Sequence, residues 1–228
     1  MTDGGDSAFQ LDRAFLDSGG LDAAVRDAGL EHMLLSEAER QASLDATLAS
    51  RPEVGNGAWV FCYGSLIWNP MIEVAERRLV SLDGWERAFC LVTHAGRGTT
   101  ENPGLLLGLI EGGGCTGVAL RIDEPIVARE LALLWRREML TGAYIPRWLQ
   151  ARDATGATVH TLAFTMNTSH PNYAHPDEEA TVRMLATARG TLGTSAEYLL
   201  RTSESLRRNG IVDPVVDRLA ARVAAWDI

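Results

Sequence analysis

The amino-acid sequence predicts an α+β fold: a small barrel or strongly curled sheet with helices packed outside it, preceded by a helical extension. Three observations predict it. Apolar, β-branched runs recur at short spacing between residues 59 and 166, separated by Gly- and Asp-containing turn signals. One strongly amphipathic segment, about 126–140, interrupts them. Helical spacing dominates before residue 50 and after residue 177. The 228 residues suffice for one sizeable core or for a domain with an extension. Pro52, Gly55 and Gly57 mark a linker, so the chain divides into an acidic helical extension with its linker, 1–57, and a main domain, 58–228.

In the extension, Leu21, Val25, Leu30, Met33 and Leu34, then Leu44 and Leu48, predict apolar faces of two or three short helices, with Asp22 or Ser36 as a cap. Its acids predict a solvated face; the alternative is a partner-binding or dimerising arm. Residues 1–58 hold eleven Asp/Glu and four Arg, against nineteen and seventeen in 59–228, so most of the net charge of −9 belongs to the extension.

The first strand, 59–61, runs into Tyr63-Gly64-Ser65, a break in polarity and backbone freedom, and a turn at Asn69-Pro70. Gly64 is free to take φ > 0 and to let a ligand approach the main chain. A tight loop with free N–H groups forms a nest for an anion or a developing oxyanion; the bland alternative is an ordinary strand end. Strands are predicted at 78–80 and 85–93, parted by a turn at Leu82-Asp83-Gly84. A polar, Gly-rich and mobile loop follows at 93–102. Strands at 105–110 and 116–122 are joined by a hairpin through Glu111-Gly112-Gly113-Gly114, and a last strand spans 158–166. The triple glycine lacks the basic partner and helix start of a phosphate loop.

Asp123-Glu124-Pro125 starts the interrupting helix, which ends near Gly142. Steps of 100° place Glu138 on one stripe with Val127, Leu131, Leu134 and Trp135, and Arg129 and Arg136 opposite. A carboxyl on an apolar face has its charged form disfavoured and its pKa raised, as a general acid or base working near neutrality requires. The alternatives are a Glu paired with an Arg such as Arg137, or one at the end of the stripe. Three further helices are predicted at 177–188, 195–209 and 214–226.

Composition excludes several functions. A net charge of −9 argues against a general nucleic-acid binder. No run of about 18 apolar residues predicts a membrane span, and the acidic opening, residues 1–6, is not a secretory signal. Three separated cysteines, Cys62, Cys90 and Cys115, fit a reducing, cytoplasmic compartment. All 21 basic residues are Arg, which excludes Schiff-base, Walker and general-base lysines. His170 and His175 lack the spacing of a metal pair, so no metal is predicted. Ser65 is not in a G-x-S-x-G elbow, which argues against a serine hydrolase.

Taken together, Phe61-Cys62-Tyr63-Gly64-Ser65-Leu66-Ile67-Trp68, the later Trp135-Arg136-Arg137-Glu138-Met139-Leu140-Thr141-Gly142-Ala143-Tyr144, and His170-Pro171-Asn172-Tyr173 resemble the ChaC family of γ-glutamylcyclotransferases, which act on glutathione. The resemblance covers about residues 58–210 and leaves the extension outside. It implies a small mixed β-barrel flanked by helices. The implied reaction splits glutathione into 5-oxoproline and cysteinylglycine, with no cofactor. It implies that Tyr63, Gly64, Ser65 and Leu66, with Cys62 and Ile67 beside them, hold the γ-glutamyl group, and that Glu138 is the catalytic acid and base. Tyr144 and Tyr173 are candidate polar lids or carboxylate partners, with plain packing as the alternative. Cys62 departs from the glycine that relatives often have there, which bears on substrate preference, and residues 192–198 match only loosely. The expected partner is therefore a small molecule, neither nucleic acid nor membrane. Two other readings stay open: a cyclotransferase for another γ-glutamyl amide or natural product, and a non-catalytic module that binds a γ-glutamyl ligand.

Overall fold

A computed structural model describes residues 11–53 and 55–226, so the acidic opening at 1–6 lies outside the described residues. Strands β1 (Ala58–Cys62), β2 (Glu76–Thr93), β3 (Gly104–Ile122), β4 (Tyr144–Asp153) and β5 (Thr158–Met166) close a barrel in the order β1-β3-β2-β4-β5. Neighbours run antiparallel except at one seam, where β1 and β5 are parallel, with Trp59 opposite Thr161 and Val60 opposite Leu162. Closure leaves the barrel without an open edge. Val60, Phe61 and Cys62 of β1 are fully buried, which is why β1 reads as a continuous apolar run rather than an alternating one.

The structure corrects the strand count. The four strands expected between 78 and 122 are two long, bent ones. At Leu82-Asp83-Gly84 the chain does not turn back: Gly84 takes φ 77° at a register shift between Asp83 and Trp85, and β2 continues. Glu111–Gly114 is likewise no hairpin but an exposed stretch inside β3, with Gly114 paired to Asp83 and Glu111 to Trp85. Bulges and glycines let a long two-stranded ribbon coil round the barrel, and they leave the same mark in a sequence as a turn. The true connection between the two strands is the loop 94–103. Rather than hanging free, it is tied to the C-terminal part of the chain. Leu192 N–H donates to Gly96 O (2.7 Å), Asn102 Nδ2 to Thr187 O (2.9 Å), and Ser195 Oγ to Arg97 O (3.0 Å).

Helix α1 (Arg13–Asp17), α2 (Gly20–Asp27) and α3 (Glu37–Ala49) form the leader; α4 (Val127–Glu138) lies between the barrel strands; α5 (Glu178–Thr187), α6 (Ser195–Arg208) and α7 (Pro214–Ala224) follow the barrel. The leader shares the main core through Leu16 and Leu44. Ser36 caps α3 in a reciprocal capping box with Glu39. Asp22 caps nothing: it lies inside α2, and its carboxylate pairs with Arg40 at 2.8 Å. Helix α4 buries Val127, Leu131, Leu134 and Trp135 as its spacing predicts, and the Trp135 ring meets Phe164 of β5 edge-on at 5.3 Å. Among the described residues no helix is long and apolar enough to cross a membrane.

Candidate active site

Strand β1 delivers the chain into Tyr63-Gly64 and then a single 3-10 turn, Ser65–Ile67, closed by Ile67 N–H to Gly64 O (3.0 Å) and Asn69 N–H to Ser65 O (2.8 Å). The first N–H groups of such a turn lack internal acceptors. Among the described residues, those of Gly64, Ser65 and Leu66 have no acceptor. Gly64 does not use the left-handed region; its φ is −142°. Glycine is needed there for space, since a Cβ would lie 3.1 Å from Tyr198 Oη and 3.4 Å from Leu107 Cδ1.

Glu138 is the last residue of α4, with its side chain only 13% exposed. Burial raises its pKa and the adjacent Arg137 opposes that rise; the net direction is upward. Arg137 Nε lies 2.9 Å from Glu138 Oε1, and the same guanidinium donates to Ser65 Oγ at 2.7 Å and to the Asn69 carbonyl. The two readings of Glu138 therefore hold at once. It is a carboxyl buried on an apolar helix face, and it is paired with Arg137, inside the protein and against the Tyr63–Leu66 loop.

Three phenols surround this pair. Tyr63 Oη donates to Phe164 O and Tyr144 Oη to Leu107 O, both at 2.8 Å, while Leu107 N–H donates to Tyr198 Oη at 3.4 Å. Burial, first, and then neighbouring negative groups push Tyr63 and Tyr144 well above the ordinary phenol range; burial takes Tyr198 to about 12. All three are neutral hydrogen-bonding groups near pH 7.

Glu138 stands at the junction of two cavities. An inner one of about 20 Å³ is lined by Tyr63, Gly64, Ser65, Leu66, Tyr144 and Glu138 itself, among others. An outer cleft of about 310 Å³ shares Ser65, Glu138, Tyr144 and Tyr198 with it, a volume typical of small-molecule sites.

Three of the residues singled out from sequence line neither cavity. Cys62 is fully buried behind the loop, and burial followed by the Glu138 charge raises its thiol pKa. Ile67 is buried in the core. Tyr173 pairs its backbone with Leu91 and packs against the Cys90 cluster, while its neighbour Asn172 reaches the outer cleft. His170 accepts from Asn172 N–H at Nδ1 and contacts Thr141 O through Nε2, each at 3.1 Å, so both ring nitrogens serve to fold the loop.

Sequence reasoning missed other members of the outer cleft. Tyr198 lies in the loosely matching segment 192–198, and its place on the buried face of α6 was the available signal. Arg97 and Arg201 left no such signal. Both pair with the single carboxylate of Glu197, at 3.2 and 2.8 Å, and both line the cleft. Leader residues line it as well.

The profile of the ChaC-like protein family matches residues 58–225. The chain is 45% identical over 194 residues to the glutathione-specific gamma-glutamylcyclotransferase of Escherichia coli (strain K12), covering 85% of this chain and 84% of that one. It is 32% identical over 157 residues to glutathione-specific gamma-glutamylcyclotransferase 1 of Homo sapiens, covering 67% and 71%. The crystal structure of a selenomethionine-labelled γ-glutamyl cyclotransferase specific to glutathione from yeast superposes with a TM-score of 0.68 at 19% identity, over 75% of this chain and 97% of that one. That likeness is one of fold.

Proposed function

The chain belongs to the ChaC-like protein family, and from that premise we propose that it is a glutathione-specific γ-glutamylcyclotransferase, a lyase that converts glutathione into 5-oxoproline and cysteinylglycine. The observation that carries the reading is Glu138: a buried carboxyl at the junction of two cavities, held by Arg137 against a loop in which three N–H groups find no acceptor among the described residues.

Glutathione contains both its nucleophile and its electrophile, so the protein has to fold the γ-glutamyl arm, move protons and stabilise charge. The α-amine attacks the γ-carbonyl carbon; that C–N bond forms and the amide C–N bond to cysteine breaks. Of the three protons on the α-ammonium nitrogen, one stays on the lactam and two are given up, while the departing nitrogen gains two as the ammonium of cysteinylglycine. Glu138 accepts a proton from the ammonium and returns it to the departing nitrogen; the second is lost by the attacking nitrogen as the ring closes, and the released amine takes up its counterpart from solvent. Its raised pKa narrows the gap between carboxyl and amine, and its pairing with Arg137 keeps the carboxylate available as a base. The N–H groups of Gly64, Ser65 and Leu66 bind the oxyanion, an arrangement worth about 3–4 kcal/mol per donor in acyl-transfer sites. Tyr63 and Tyr144 wall the arm into its cyclising shape and exclude water.

Charge supports an anionic substrate. Arg97, Arg137 and Arg201 line the outer cleft, and Arg97 and Arg201 share one acid, Glu197. Glutathione has two carboxylates and one ammonium. The three cysteines are buried free thiols, which suits the reducing cytoplasm where we place the protein. Mass spectrometry of the protein incubated with glutathione tests the assignment. Matched release of 5-oxoproline and cysteinylglycine is expected. Lactam release from a different γ-glutamyl amide alone would move the assignment to that substrate, and binding without cleavage would move it to a sensor.

A further inference from the structure

Six leader residues line the outer cleft: Leu11, Leu21, Ala24, Val25, Leu30 and Met33. None carries a charge or a polar side-chain group. They lie outside the 58–225 match, yet they share a cavity with Glu138 and Ser65. The leader is fastened there. Arg13 grips Glu130 of α4 with two bonds, Nη1 to Oε2 at 2.8 Å and Nη2 to Oε1 at 3.0 Å, and donates also to the Met71 carbonyl at 3.0 Å. Asn69 Nδ2 donates to Leu11 O at 2.9 Å, and Leu35 N–H to Leu140 O at 3.0 Å. The helix that presents Glu138 and the loop that follows Ser65 therefore both hold the leader.

On the cyclotransferase reading, the γ-glutamyl group sits beside Tyr63–Leu66, and whatever is attached to it projects past Glu138 into the outer cleft. We infer that the leader is the wall of the leaving-group subsite. It sets specificity for the side chain of the residue after the scissile γ-amide. An uncharged sulfur or hydrocarbon side chain loses little on entering such a surface, and a thiol behaves there as a small hydrophobe. A charged side chain would be stripped of water against six residues that offer it no partner. The wall thus favours cysteine, or another apolar residue, over lysine at that position.

The test uses the full-length chain as wild type, Met33→Asp and Ala24→Asp, both at half-buried positions. Substrates are γ-glutamyl-cysteinyl-glycine and γ-glutamyl-lysyl-glycine, followed by 5-oxoproline release, with thermal unfolding to verify folding. Wild type is expected to prefer the cysteine peptide strongly. Met33→Asp lowers kcat/KM for it about tenfold, chiefly through KM, and raises kcat/KM for the lysine peptide, so the preference collapses; Ala24→Asp shifts it the same way. Folded variants that keep the wild-type preference, or a wild type indifferent between the two peptides, overturn the inference while leaving the cyclotransferase reading intact. No 5-oxoproline from either peptide overturns both.

Discussion

Arg137 holds Glu138 through Nε at 2.9 Å, and with the far end of the same guanidinium it reaches Ser65 Oγ at 2.7 Å. One side chain thus sets both the position of the Glu138 carboxyl and the position of the Tyr63–Leu66 loop. It also tempers the carboxyl: burial raises the Glu138 pKa and Arg137 lowers it.

The first prediction concerns pH. The base form of Glu138 is lost as pH falls through its raised pKa. The acid limb of kcat/KM should therefore lie above the ordinary glutamate value of about 4.3. Arg137→Met removes the opposing charge and should move that limb to still higher pH, besides lowering kcat through a displaced Ser65. A limb unmoved in Arg137→Met would show that another group sets it.

Gly64 has a steric duty. In Gly64→Ala the new methyl meets Tyr198 Oη at 3.1 Å, and overpacking of this kind costs about 1–3 kcal/mol. The loop and Tyr198 must separate, so kcat should fall by about tenfold or more while the protein remains folded, because small misplacements at a reacting centre are costly. Steady-state kinetics with thermal unfolding checks this.

Arg201 is half-exposed, stacks 5.4 Å from the Trp68 ring and shares Glu197 with Arg97. Arg201→Ala should weaken binding of the peptide's carboxylates and raise KM for glutathione severalfold, with kcat little changed. The effect should shrink as salt rises, since the charge is partly exposed.

Arg13 and Glu130 make a stability prediction. Burial pushes the Glu130 carboxyl up, but the bonds from Arg13, the Glu73 N–H and Arg129 outweigh it and the net shift is downward. A depressed folded pKa gives stability that is present above the unfolded value and lost as pH falls through the folded one. Arg13→Ala should therefore lower Tm at pH 7, and the deficit should fade in strong acid. Arg13 is 40% exposed and two partners of Glu130 remain, so the loss is about 1–2 kcal/mol.

Much of this was legible in the sequence. The wheel of α4 placed Glu138 among apolar residues because a helix has a fixed period, and Tyr63-Gly64-Ser65 stood out as a polar break after a buried strand. The continuous course of β2 and β3 was not legible, because Gly84 and the 112–114 glycines mark a bend as readily as a turn. The contribution of Arg97, Arg201 and the leader was not legible either. It comes from contacts between distant segments, such as Arg97 with Glu197 and Asn69 with Leu11, which leave no local pattern. Nothing local marks Glu130, in the first turn of α4, as a buried acid; its partners are Arg13, 117 positions away, the Glu73 N–H and Arg129.

The most direct measurement compares wild type and Glu138→Gln in a single turnover of glutathione, with binding measured by calorimetry. The isosteric amide retains the shape of the junction and cannot carry the proton. Retained binding with 5-oxoproline formation slowed by about 10²–10⁴-fold is the predicted result. A folded Gln variant that forms the lactam at close to the wild-type rate would contradict the account.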